Sequence, residues 1–298
     1  MKKKQIIFWA CDYSNQTGEG NLARKFIRYF FYKKKIQVKT LNSCDDLNLK
    51  YLKPFFIIIN CWKSYFKGYR VGYINYLPLW NFCIFLLLPP KTILGPITGG
   101  ALYTKKKIIN FFIRKYIFFI FYKISELIIN WRFKNKIIFS TTLLEKFLSE
   151  KIKKRSTFNF ILKEFKFKKK IRKDIDFIIY FRNHKNKSTF FKYKFLEKLT
   201  KLKLKIIVVG DHLNIYGIKN MGYISKKKMD HLQSRSKYTV YSGENILSLF
   251  ILECISNHVK IFISKEYLKT IIHFKRFFIN MDNQKVIKKL GSKNKRVF

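Results

Sequence analysis

Asp176-Phe177-Ile178-Ile179-Tyr180-Phe181-Arg182-Asn183-His184-Lys185-Asn186-Lys187 passes from an apolar stretch straight into a polar, basic one. Asp176–Phe181 has the length and the aromatic and β-branched content of a buried strand. The loop after it carries two cations five positions apart, Arg182 and Lys187. Such a pair can bracket a diphosphate, the arginine through its planar fork and the lysine as a point charge. In a lysine-rich chain the same pair also arises by chance, and a solvated loop is the bland alternative.

The alternation continues downstream. Thr189–Leu202 reads as a helix, Lys205–Val209 as a strand ending at Gly210-Asp211, and Ile224–Ser234 as a short helix. Lys237–Tyr241 is a strand, Ile246–Ser256 a helix, Val259–Ile263 a strand, and 265–298 a helical, then frayed, end. Upstream, Gln5–Cys11 is a strand and Asn21–Lys35 a helix. Ile36–Leu41 and Phe55–Trp62 are the next strands, one more is expected within Tyr73–Pro90, and another at Thr92–Leu94. Lys105–Phe133 holds one or two helices before a strand at Lys136–Ser140. Strands alternating with helices predict an α/β protein with parallel sheets. A length of 298 residues suits two domains. We expect a first domain over 1–150, a lysine-dense junction over 151–173, and a second domain over 174–298 whose last helix packs back on the first.

The formal net charge is +46 and hydrophobic residues make up 48%, so the chain is basic yet able to build a core. Lys, Ile, Phe, Asn and Tyr, all with AT-rich codons, dominate, while alanine occurs only at Ala10, Ala23 and Ala101. Biased codon usage therefore accounts for much of the charge, and no nucleic-acid partner is expected, since base readers favour arginine. So basic a surface is expected to be drawn to an anionic membrane surface. Tyr73–Pro90 is uncharged but interrupted by Asn75, Pro78 and Asn81, which disfavours a spanning helix, whereas Ile108–Trp131 mixes aromatics with cations as an interfacial helix does. Five scattered cysteines without CxxC predict a reducing compartment and neither disulfides nor zinc. The location expected is cytoplasmic, peripheral on the inner face of the plasma membrane.

Three further loops carry candidate chemistry. Thr17-Gly18-Glu19-Gly20-Asn21 lies between the first strand and helix, where glycines and helix N–H groups can approach a phosphate. The segment Gly95-Pro96-Ile97-Thr98-Gly99-Gly100 follows a strand in the same half. Ser242-Gly243-Glu244-Asn245 opens the helix that contains Glu253, an acid within an apolar segment. There it needs a partner, either sugar or ribose hydroxyls or a lysine.

In order, the Arg-x4-Lys loop, Val208-Val209-Gly210-Asp211, Gly222-Tyr223-Ile224, Ser242-x-Glu244 and Leu252-Glu253 resemble the donor half of GT-B glycosyltransferases. The resemblance is strongest to the retaining group with an E-x7-E motif. The two early glycine loops are similar to the acceptor-side domain of that fold. The resemblance implies two Rossmann-like domains facing across a cleft, and a hexosyltransferase taking sugar from a nucleotide-sugar to a glycolipid or polysaccharide acceptor. It implies retention of configuration and neither metal nor cofactor. Arg182 and Lys187 would hold the donor diphosphate, Glu253 the ribose, and Glu244 the transferred sugar. Ser242, Asn245 and Gly210 would complete the donor site. Gly18, Gly20, Gly99 and Gly100 would shape the acceptor-side loops. Glu244 and Asp12, the latter as acceptor contact, would be the catalytic candidates. Glu244 and Glu253 stand one residue further apart than the motif, and Asn245 takes its first-Glu register. An inactive GT-B-like partner subunit is therefore the alternative, and a basic nucleic-acid-binding protein a more distant one.

Overall fold

Strands joined through helices can pair side by side in one direction, and the chain does this twice. The computed structural model describes residues 5–15, 17–32, 36–41, 52–75, 77–99, 112–183, 191–241, 245–269, 271–283, 285–287 and 290. They divide into two units, Met1–Glu164 and Phe165–Phe298.

In the first unit β1 (Ile6–Ala10), α1 (Gly18–Phe31), β2 (Ile36–Thr40), α2 (Lys53–Phe66), β3 (Arg70–Ile74), α3 (Phe82–Leu87) and β4 (Ile93–Leu94) follow one another. The sheet order is β2-β1-β3-β4, with every pair parallel. Phe8 of β1 pairs with Gly72 of β3 and packs edge-on against Phe26 of α1. The alternate residues Val71 and Tyr73 share a core with Ile57 and Cys61 of α2. The two helices thus cover opposite faces, as right-handed crossovers require. Then come α4 (Phe118–Arg132), β5 (Ile137–Ile138), α5 (Glu150–Arg155) and β6 (Ser156–Thr157), the last pairing parallel with β5. Residues 151–164, inside the stretch expected to be a junction, therefore fold within this unit. Phe160, beyond β6, is buried in ring contact with Phe26.

Phe55–Trp62 is not a strand. It lies within α2, whose buried positions Ile57, Ile58, Cys61 and Ser64 recur with helical spacing, with Pro54 in the first turn. A short all-apolar run carries no period of its own, so its surroundings decide. Tyr73–Pro90 likewise yields the end of β3 and then α3. Among the described residues no helix is long and apolar enough to cross a membrane.

The second unit runs β7 (Ile175–Phe181), α6 (Tyr193–Thr200), β8 (Ile206–Gly210), β9 (Lys219–Asn220), α7 (Lys226–Arg235), β10 (Ser236–Val240), α8 (Leu249–Ser256), β11 (Lys260–Ile263), α9 (Lys265–Leu268) and β12 (Phe278–Asn280). Its parallel sheet has the order β12-β11-β10-β7-β8-β9. From the other edge this reads third, second, first, fourth, fifth, sixth, the doubly wound order in which ligands bind where the chain reverses direction. That reversal lies between β7 and β10. The end of the chain is not simply helical: β12 adds a sixth strand beside β11, because an open parallel edge accepts the apolar Phe278-Ile279. Leu290, with Val286 and Ile287, packs into this unit's own core beside Leu213 and Phe195.

Candidate functional site

The carboxyl ends of β7 and β8 are drawn close together. Gly210 ends β8 at φ +106°, and a Cβ there would lie 2.2 Å from the Phe181 carbonyl oxygen. The next residue, Asp211, donates its backbone N–H to that same oxygen at 3.0 Å. Its carboxylate accepts the Asn183 N–H at 2.6 Å and the Tyr223 hydroxyl. Arg182 emerges from this turn with Nε 3.9 Å from Asp211 Oδ2 and Nη1 donating to the Tyr180 hydroxyl at 3.2 Å. Its guanidinium lies over the Tyr223 ring, 5.4 Å from the centroid. The Tyr223 hydroxyl, then the Asn183 N–H and the Arg182 charge, hold the Asp211 carboxyl below the usual carboxylate range.

Across the reversal, Tyr241 is buried just past β10. Asn245 turns the chain by accepting the Leu247 N–H at 3.1 Å, and Ser248 caps α8 by accepting the Ile251 N–H at 3.4 Å. Phe250, in the first turn of α8, stacks on Tyr180 at 5.5 Å. The start of α8 is therefore tied to the residue that also holds Arg182. Glu253 is engaged elsewhere: Lys226 Nζ of α7 sits 2.5 Å from its Oε1. The lysine alternative read from the sequence thus supplies its partner, while Arg182 has Tyr180, Asp211 and Tyr223. Lys187, Ser242, Glu244 and Gly100 lie outside the described residues.

In the first unit the corresponding reversal lies between β1 and β3. Asp12, past the end of β1, donates its N–H to Asn75 Oδ1 at 3.3 Å, and Asn75 Nδ2 donates to the Glu19 carbonyl at 2.9 Å. Asp12 Oδ1 accepts the Ser14 N–H at 2.8 Å, and Oδ2 accepts the Thr17 hydroxyl. Thr17 in turn caps α1 by accepting the Gly20 N–H at 3.0 Å. A Cβ on Gly20 would lie 2.1 Å from the Ser14 carbonyl oxygen, so its smallness serves the protein's own loop. Gly18 faces open space, and Gly99 sits at φ +111°. Both Asp12 oxygens are thus occupied in shaping the loop.

Asp211 and Tyr223 lie outside the site residues expected from the sequence, although Gly210-Asp211 and Gly222-Tyr223 belong to the motifs. The available signal was a carboxylate directly after a buried strand. Among the described residues no three His, Cys, Asp or Glu side chains are grouped to hold a metal ion.

No family model matches the chain, and no curated protein does. Among solved structures, the chain is similar in backbone course to the glycotransferase of kitacinnamycin, at 9% identity and TM-score 0.44 over 98% of this chain and 92% of that one. It is similar to the glycosyltransferase SnogD from Streptomyces nogalater, at 9% identity and TM-score 0.41 over 98% and 85%. The wall teichoic acid polymerase TagF aligns at 12% identity and TM-score 0.42 over 99% and 81%.

Proposed function

We propose that the chain is a GT-B glycosyltransferase that moves a hexose from a nucleoside diphosphate sugar to a glycolipid or surface-polysaccharide acceptor. The observation that carries this reading is the position of Arg182, anchored on the loop after the first strand of a doubly wound sheet, at its reversal point. The capped start of α8 stands on the other side of that point, a second source of oriented N–H groups for phosphate oxygens.

In this reading the Arg182 fork grips non-bridging diphosphate oxygens, and Lys187 adds a second positive charge. As the bond from the anomeric carbon to the diphosphate oxygen breaks, these cations stabilise the charge that develops on the leaving group. The acceptor hydroxyl oxygen takes its place on carbon, and its proton passes to the departing diphosphate oxygen. Glu244 positions the sugar, while Ser242, Asn245 and Gly210 complete the donor side. Glu253 exchanges Lys226 for the ribose hydroxyls. Asp12 shapes the acceptor loop and contacts the acceptor. Retention of configuration and independence of metal come with the group the motifs resemble.

Titration with uridine, guanosine, cytidine and thymidine diphosphates, followed by turnover assays with their sugar conjugates, tests the reading. One of them is expected to bind, and Arg182→Ala to weaken it about tenfold or more. Absence of binding across the panel, or unchanged binding by the variant, overturns it. The pairing of Glu253 with Lys226 favours one other reading, a partner subunit that binds donor without transferring sugar. Intact binding with no transfer to any acceptor identifies that case.

A further inference from the structure

The outer layer of the first unit has the wrong chemistry for water. α2 buries Ile57, Ile58, Cys61 and Ser64 against the sheet, so its opposite stripe should be polar. Instead that stripe presents Leu52, Phe55, Phe56, Ile59 and Phe66, the last 77% exposed. α4 repeats the pattern: it buries Tyr122, Ser125, Glu126 and Ile129, and exposes Phe119, Ile120, Leu127 and Trp131.

α3 joins the two helices into one surface. Trp62 Nε1 of α2 donates to the Leu87 carbonyl at 2.7 Å, and Arg132 Nη2 of α4 donates to the Leu88 carbonyl at 2.7 Å. Leu86 and Leu87 add to the exposed apolar area between them. Isolated apolar side chains at a surface are ordinary, but a contiguous field of them marks something that covers it.

Charge identifies what covers it. From Leu52 to Phe133 the sequence holds twelve lysines and arginines and one acid, Glu126. Glu126 is buried, accepting the Ser149 N–H and paired with Lys123, so it puts no negative charge on this surface. Lys63 lies on the apolar stripe of α2 itself. A second copy of the chain would bring the same cations face to face. A bilayer with anionic headgroups offers hydrocarbon to the rings and phosphates to the ammonium groups at the same depth.

We propose that the outer face of α2, α3 and α4 docks flat onto an anionic phospholipid bilayer. α2 enters the interface through Phe55, Phe56, Ile59 and Phe66, and Trp131 anchors the far edge at headgroup level. This docking stands independently of the donor reading, because every residue it uses lies in the first unit.

Vesicle flotation tests it. The whole chain is expected to float with vesicles of equimolar phosphatidylglycerol and phosphatidylcholine, and far less with phosphatidylcholine alone. The triple variant Phe56→Gln, Ile59→Gln, Phe66→Gln should bind the anionic vesicles roughly tenfold or more weakly. Ile272→Gln, as exposed as Phe66 but in the second unit, should bind as the parent does. In the parent, tryptophan emission should shift to the blue on anionic vesicles, and Trp131→Phe should remove most of that shift. Equal flotation of the triple variant, equal binding to neutral vesicles, or no binding by the parent overturns the proposal. So does a parent dimer that the triple variant converts to monomer, since a second copy would then cover the face.

Discussion

The carboxylate of Asp211 holds the backbone N–H of Asn183 at 2.6 Å, so the residue that follows β8 clamps the turn that leaves β7. The same carboxylate accepts the Tyr223 hydroxyl, and Arg182 rises from the clamped turn. Asp211→Ala removes both acceptors at once and is expected to cost roughly 1–2 kcal/mol in urea unfolding. Tyr223→Phe removes one donor and should cost less.

Arg235 grips Asp174 through two nitrogens, with Lys205 at 3.4 Å, and together they hold its carboxyl well below the usual carboxylate range. A carboxyl whose folded value lies under its unfolded one contributes fully above about pH 4, and that contribution fades as pH falls through the folded value. Asp174→Asn should therefore lower the melting temperature by a constant amount at neutral pH. Below about pH 4 the gap to the parent should close. A gap that widens with acid would contradict the pairing.

Lys173 donates to three backbone carbonyls, those of Ser236 at 2.7 Å, Asn257 at 3.0 Å and His258 at 2.8 Å. It ties the start of β10 to the turn before β11. Lys173→Met keeps the aliphatic stem and strands those acceptors, which should destabilise by roughly 1–3 kcal/mol in denaturant unfolding.

Two neighbouring glycines should respond oppositely to alanine. Gly18 begins α1 facing open space, so Gly18→Ala is expected to be neutral or to stabilise by up to about 1 kcal/mol. Gly20→Ala drives a methyl into the Ser14 backbone and should destabilise by about 2 kcal/mol or more while loosening the Asp12 loop. Thermal unfolding of the pair measures the difference.

Glu253 is expected to give a ligand-specific signature. If it leaves Lys226 for ribose hydroxyls, Glu253→Gln should weaken nucleoside diphosphate binding about tenfold and leave inorganic pyrophosphate binding unchanged. Equal effects on both ligands would confine Glu253 to its ion pair.

Much of the second unit is legible in the residue order itself. Asp176–Phe181 lies within Ile175–Phe181, and Val259–Ile263 differs from Lys260–Ile263 by one residue. These are short apolar runs bounded by polar loops, which local chemistry marks well. Phe55–Trp62 failed because a run apolar all round looks the same as strand or helix. β12 escaped because its pairing partner, β11, had to be in place first.

The residue order alone determined that strands and helices alternate, that Arg182 follows a buried strand, and that positive charge dominates, since these depend on neighbours in the chain. Only tertiary structure decided that β10 lies beside β7, that Asp211 clamps Asn183, that Glu253 meets Lys226, and that α2 turns an apolar face outward. Those outcomes join residues far apart in sequence, and their free energy exists only once the sheet has brought them together.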